Sequence, residues 1–149
     1  MKVLIDTNVL LSYLLRPWGN SAPIRVVVRS MSGIDDPLVP EYVLGELRRQ
    51  TRNNRYFTSR VSEDAVELFI HLMERISIPI PITEAPILYR TRDPNDDVLV
   101  AIALAAGVDY LISGDKDLLE LGDTLAPLKI RSPQAFLDEI ERESDPGEK

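Results

Sequence analysis

Apolar residues follow two rhythms along this chain. Short unbroken apolar runs alternate with longer stretches in which apolar positions recur every three or four residues. The first rhythm predicts strands over residues 2–5, 108–112 and 128–130, with a brief extended piece at 37–40. The second predicts helices over 7–15, 41–52, 97–106 and 116–121. Ser21-Ala22-Pro23 reads as a helix start with Pro in the first turn, continued over 24–31. Ser62 with Glu63 and Asp64 opens another, carrying Val66, Phe69, Ile70 and Met73 on one face. Ser132-Pro133 opens the last, through about residue 140. Residues 53–59 read as a polar connection, and the Pro-interrupted 76–82 as an edge strand or loop.

Strands alternating with helices indicate a parallel sheet covered on both faces. The expected fold is therefore α/β, a three-layer α/β/α sandwich with a central, mainly parallel sheet. No repeat or linker interrupts it. One domain over 1–141 is expected, followed by a charged, disordered tail over 142–149.

Composition narrows the function. No apolar stretch approaches the ~20 residues that a membrane span needs. The opening apolar run ends at Asp6, too short for a secretory leader. No cysteine is present, so disulfides and thiolate metal sites are excluded and a cytoplasmic location is expected. A single histidine, His71, excludes mechanisms that need two. Lys and Arg number 17 against 24 Asp and Glu, a net charge of −7, which argues against simple coating of nucleic acid. The charge is unevenly laid out: five arginines and one acid, Glu46, fall within residues 45–60.

Ligands of open parallel sheets bind outside the carboxyl ends of the strands. Asp6 follows the first strand, and Asp115 follows residues 110–112 through Ser113-Gly114. Asp93, Asp96 and Asp97 crowd the start of the alanine-rich helix in "RDPNDD". Each alone reads as an N-cap, since Asp favours that position and gains from the helix dipole. Together they exceed that need, because one helix takes one cap. Glu46 falls at the edge of the apolar arc formed by Tyr42, Val43, Leu44 and Leu47, where a charge wants an arginine or an ion. Clustered carboxylates repel, and a divalent cation relieves them. An all-oxygen set suits Mg²⁺ or Mn²⁺, hence chemistry at phosphate.

Four segments, "VLIDTNVLLSYLL", "VPEYVLGELRR", "RDPNDDVLVAIALAAGVDYLISGDKDLL" and "PLKIRSPQAFL", occur in the order and approximate spacing of PIN-domain proteins. The chain resembles that family, and within it the VapC-related toxins of toxin–antitoxin pairs. The resemblance implies the same α/β/α fold and a metal-dependent endoribonuclease, in which a metal-activated water attacks an RNA phosphodiester. By motif it implies Asp6, Glu46, Asp96 and Asp115 as catalytic and metal-binding residues, with Asp97, Asp93 and Asp117 as further candidate ligands. An Asp stands at 97 where the family often has Asn, so the choice between Asp96 and Asp97 stays open. Thr7 or Asn8 would orient Asp6, with Ser113 at the small-hydroxyl position. Arg48, Arg49, Arg52 and Arg55 are the candidate RNA contacts. Their competing reading is a solvated helix face. Tyr56 and Phe57 suit base stacking, or else core or dimer contact. Expected partners are RNA, a small antitoxin, and a second copy in a homodimer or higher homo-oligomer, with Trp18 a candidate contact.

Two other readings compete. One is a non-catalytic PIN-like module that binds RNA or protein. The other is an Asp-based phosphatase or phosphotransferase, disfavoured because no second Asp stands two residues after Asp6.

Overall fold

The computed structural model describes residues 1–79 and 91–144. Among these, four parallel strands lie in the order β2-β1-β3-β4: β1 (Lys2–Ile5), β2 (Asp36–Leu38), β3 (Tyr110–Ile112) and β4 (Lys129–Arg131). The helices are α1 (Thr7–Leu15), α2 (Ala22–Met31), α3 (Glu41–Asn53), α4 (Arg55–Thr58), α5 (Glu63–Ile76), α6 (Pro94–Ala106), α7 (Lys116–Leu119) and α8 (Pro133–Glu143). The result is the expected α/β/α sandwich. Helices α1 and α2 pack on each other, α3 packs on α1 and α5, and α2 packs on α8.

The central strand explains the pattern of the opening residues. Val3, Leu4 and Ile5 are completely buried, as a strand covered on both faces must be. They pair in register with Tyr110, Leu111 and Ile112. The core continues through Leu10, Leu44, Leu47, Ile70, Met73 and Phe136.

Local chemistry sets the helix ends. The Ser62 and Ser132 side chains accept N–H groups three residues on, each at 3.1 Å, as N-caps do. Helix α6 ends at Gly107, whose φ of 65° is the left-handed conformation that glycine adopts freely.

Several expected boundaries move. The connection expected over 53–59 contains α4, whose first turn is capped by Asn54 accepting the Tyr56 N–H at 2.9 Å; its polar composition concealed it. Helix α6 begins at Pro94 rather than at 97, because Pro fits the first helical position and Asp93 serves as the cap. The second strand spans Asp36–Leu38 and ends earlier than expected, since Pro40 already occupies the N-cap of α3. Helix α8 continues to Glu143, past the expected domain end at 141. In the expected 76–82 segment, Ile76 still belongs to α5, and the portion from residue 80 lies outside the described residues, as does the tail from 145.

Candidate functional site

The parallel register brings the first two site residues together. One step beyond the pair Ile5 and Ile112 come Asp6 and Ser113, and the Asp6 N–H extends the ladder to the Ile112 carbonyl at 3.0 Å. The fully buried Ser113 hydroxyl donates to Asp6 Oδ2 at 2.7 Å. Asn8 Nδ2 donates to the same oxygen at 3.2 Å, and the Thr7 N–H donates to Oδ1 at 2.7 Å. The Thr7 hydroxyl instead faces the Val43 carbonyl at 3.5 Å. Asp6 is thus both the cap of α1 and a fixed carboxylate at the sheet's carboxyl edge. Burial pushes its carboxyl above the ordinary range, against the lowering effect of these hydrogen bonds, with the Asp115 charge adding to the rise.

The first turn of α6 supplies the next group. Asp93 accepts the Asn95 N–H at 2.9 Å and so caps the helix. Asp96 and Asp97 are both buried, but their surroundings differ. The Thr91 N–H donates to Asp97 Oδ1. Asp96 Oδ2 is buried without a hydrogen-bond partner among the described residues. Burial, with the Asp115 charge next, pushes the Asp96 carboxyl up to about 7. One oxygen each of Asp96, Asp115 and Asp117 lie within 4.8 Å of one another. Asp115 caps α7 through the Asp117 N–H at 2.9 Å, and its own N–H donates to the Ser113 hydroxyl at 3.0 Å. Arg92 lies 3.9 Å from Asp117.

Helix α3 forms the opposing wall. Tyr42, Glu46 and Gln50 stand one turn apart on one face, so all three line the cleft. The Glu46 carboxylate is held by Gln50 Nε2 at 2.8 Å and by an ion pair with Arg49. The Tyr42 hydroxyl donates to Asn95 Oδ1 at 2.9 Å. Burial, with the Asp93 charge second, pushes the Tyr42 phenol up, so it stays a neutral donor. The cleft encloses about 180 Å³ and is also lined by Asp6, Thr7, Asn8, Asp93, Asn95, Asp96 and Asp115.

The structure therefore gathers Asp6, Glu46, Asp96 and Asp115 at one cleft, with Asp93 at its edge and Asp117 beside Asp96 and Asp115. The candidate RNA-binding arginines divide differently. Arg48 makes a two-pronged pair with Glu67 at 3.1 and 3.3 Å, and Arg52 reaches the same Glu67 at 3.2 Å. Arg49 pairs with Glu46, while Arg55 is exposed. Trp18 and Tyr56 are exposed, and Phe57 packs against the core. The sequence reading missed Tyr42, Gln50 and Asn95 as lining residues. Tyr42 fits the apolar arc of α3, yet it stands four residues before Glu46, and that spacing puts it on the Glu46 face.

The carboxylate set fits a hard divalent cation. All its donors are oxygen, and Asp96 Oδ2 is buried with no hydrogen-bond partner among the described residues.

The fold is a parallel α/β/α sandwich with carboxylates gathered at the carboxyl edge of its sheet. The chain belongs to the PIN-domain family, whose model matches residues 2–117, a family whose members are generally nucleases. No curated protein matches the chain. Among solved structures it is similar to a chain in the crystal structure of VapBC2 from Rickettsia felis bound to a DNA fragment from their promoter. The TM-score is 0.54 at 12% identity, over 89% of this chain and 98% of that one. At that identity the likeness concerns the fold. Among the described residues no helix is long and apolar enough to cross a membrane.

Proposed function

We propose that this protein is a Mg²⁺- or Mn²⁺-dependent endoribonuclease that acts as the toxin of a toxin–antitoxin pair. The observation that carries the nuclease reading is the buried, unpartnered Asp96 oxygen beside Asp115 and Asp117, in a cleft shared with Asp6. Asp96, Asp115 and Asp117, with Asp6 across the cleft, would hold the cation. When bound, it supplies a Lewis acid for the phosphate and a water of lowered pKa. Ser113 and Asn8 orient Asp6, and Arg49 and Gln50 fix Glu46 on the facing wall. Above about pH 7, Asp96 offers its carboxylate ionised. The likeness in fold to the VapBC2 chain supports the toxin role and a protein partner.

The test uses the purified protein on labelled RNA and DNA oligonucleotides with Mg²⁺, Mn²⁺ or EDTA. Internal cleavage of RNA that needs the cation, lost in Asp6→Asn and Asp96→Asn, is the expected result. Wild-type protein that neither cuts RNA nor binds a divalent cation sinks the reading. For the toxin role, induced expression is expected to arrest growth, and co-expression of a small protein encoded next to it to relieve the arrest.

A further inference from the structure

The cleft is walled almost entirely by acids, amides and hydroxyls, and one lining residue differs in kind. Tyr42 is 38% exposed, whereas the other apolar lining residues, Val43 and Leu99, are 1% and 3% exposed. Among the described lining residues Tyr42 therefore presents the one open aromatic surface. Its ring is tethered, because the hydroxyl donates to Asn95 Oδ1 at 2.9 Å. Asn95 is itself fixed, its N–H bonded to the Asp93 carboxylate at 2.9 Å, one residue before Asp96. The tyrosine is thus registered to the same helical turn that carries the buried carboxylate. It also stands one turn before Glu46 on α3.

A phosphodiester seated at the carboxylates brings its two flanking bases to the cleft wall. Carboxylates there repel the electron-rich edges of bases, but any base can lay its face on a neutral ring, at about 1–3 kcal/mol per stack. We infer that Tyr42 is the platform on which a base flanking the scissile phosphate stacks, with Asn95 setting the angle of the ring. The inference rests on the reading of the cleft as an RNA-cleaving site. Tyr42 is in this sense a substrate-positioning residue and takes no part in holding the cation.

The test compares Tyr42→Ala, Tyr42→Phe and Tyr42→Trp with wild type on a short RNA carrying 2-aminopurine next to the cleavage point. Tyr42→Ala is expected to raise KM about tenfold, with kcat within about twofold, which is the loss of one stack. Tyr42→Trp keeps a KM near wild type, and Tyr42→Phe falls between. On rapid mixing, 2-aminopurine fluorescence is quenched on binding to wild type, and the quench is lost in Tyr42→Ala. Mn²⁺ affinity, measured by calorimetry without RNA, stays at the wild-type value in all three. A Tyr42→Ala variant with wild-type KM and quench overturns the inference. So does a rise in KM matched by an equal loss of Mn²⁺ affinity, which marks a structural role. Wild-type protein that fails to cleave RNA overturns the RNA reading itself, a result separate from any effect of Tyr42.

Discussion

The Ser113 hydroxyl donates to Asp6 Oδ2 at 2.7 Å while accepting the Asp115 N–H at 3.0 Å and Asn8 Nδ2 at 3.3 Å. A hydroxyl has one donor and two acceptor sites, so all three are in use. Ser113 therefore couples the two strand-end acids, Asp6 and Asp115, to each other. Ser113→Ala leaves two donors without this acceptor at a fully buried position, and a cost of about 1–3 kcal/mol in urea unfolding is expected. If Asp6 holds the proposed cation, loss of this orienting partner is expected to weaken cation binding by roughly tenfold or more. Calorimetric titration with Mn²⁺ checks it, and wild-type affinity in Ser113→Ala would refute the orienting role.

Asp96 makes stability depend on pH. Its folded carboxyl holds a proton up to about pH 7, because burial and the Asp115 charge penalise the ion, whereas in the unfolded chain it ionises near 3.8. A folded pKa above the unfolded one means that ionisation destabilises the fold. The penalty is absent below pH 3.8, grows as pH rises, and is complete above about 7. With one pKa unit worth about 1.4 kcal/mol, the fold loses about 2–3 kcal/mol from this group between pH 5 and pH 8 in EDTA. Asp96→Asn is expected to remove that slope and to be the more stable protein at pH 8. Urea unfolding of both proteins at the two pH values provides the check. Equal slopes would show that Asp96 ionises as an ordinary carboxylate.

Asp97, one residue on, is expected to behave in the opposite way. It accepts the Thr91 N–H from a buried position, so Asp97→Ala removes a satisfied acceptor and costs about 1–3 kcal/mol. A cation bound at the cleft stabilises the folded state by mass action. Addition of Mn²⁺ at pH 8 is thus expected to raise the Tm of wild type and of Asp97→Ala, and to leave Asp96→Asn unmoved. Thermal melts of the three proteins decide the register. A Tm shift kept in Asp96→Asn and lost in Asp97→Ala would move the ligand to position 97.

Much of this site could be read from the chain because each strand-end acid follows an unmistakable apolar run. Val3-Leu4-Ile5 and Tyr110-Leu111-Ile112 announced β1 and β3, and parallel pairing then set Asp6 beside Ser113. The side to which a helical residue faces was harder to read. Tyr42 and Glu46 share one edge of α3, where period alone does not separate core from cleft; the tyrosine fits the apolar arc by its spacing and is exposed in the fold. Which of the three acids caps α6 was equally hard to read, since Pro94 can either break a helix or begin one, and here it begins α6 with Asp93 as the cap. The arginine-rich stretch was open in a third way. Its charge density suits either an RNA contact or a solvated face, and the partner of Arg48 and Arg52, Glu67 on α5, is distant in sequence and adjacent in space.

That last point sets the expectation for Arg48 and Glu67. Their two-pronged pair joins α3 to α5, with Arg52 sharing the same carboxylate at 3.2 Å. The pairing lowers the Glu67 pKa and raises that of Arg48, through the hydrogen bonds first and their mutual charge second. Both side chains keep substantial contact with water, 30% and 41% exposed, and water screens most of the attraction. A double-mutant cycle of Arg48→Ala and Glu67→Ala is therefore expected to give a coupling energy below about 1 kcal/mol, shrinking in high salt. If Arg48 serves only this helix–helix contact, Arg48→Ala leaves the KM for RNA within about twofold of wild type. A KM raised severalfold by Arg48→Ala, with the coupling to Glu67 absent, would return this arginine to the RNA-binding surface.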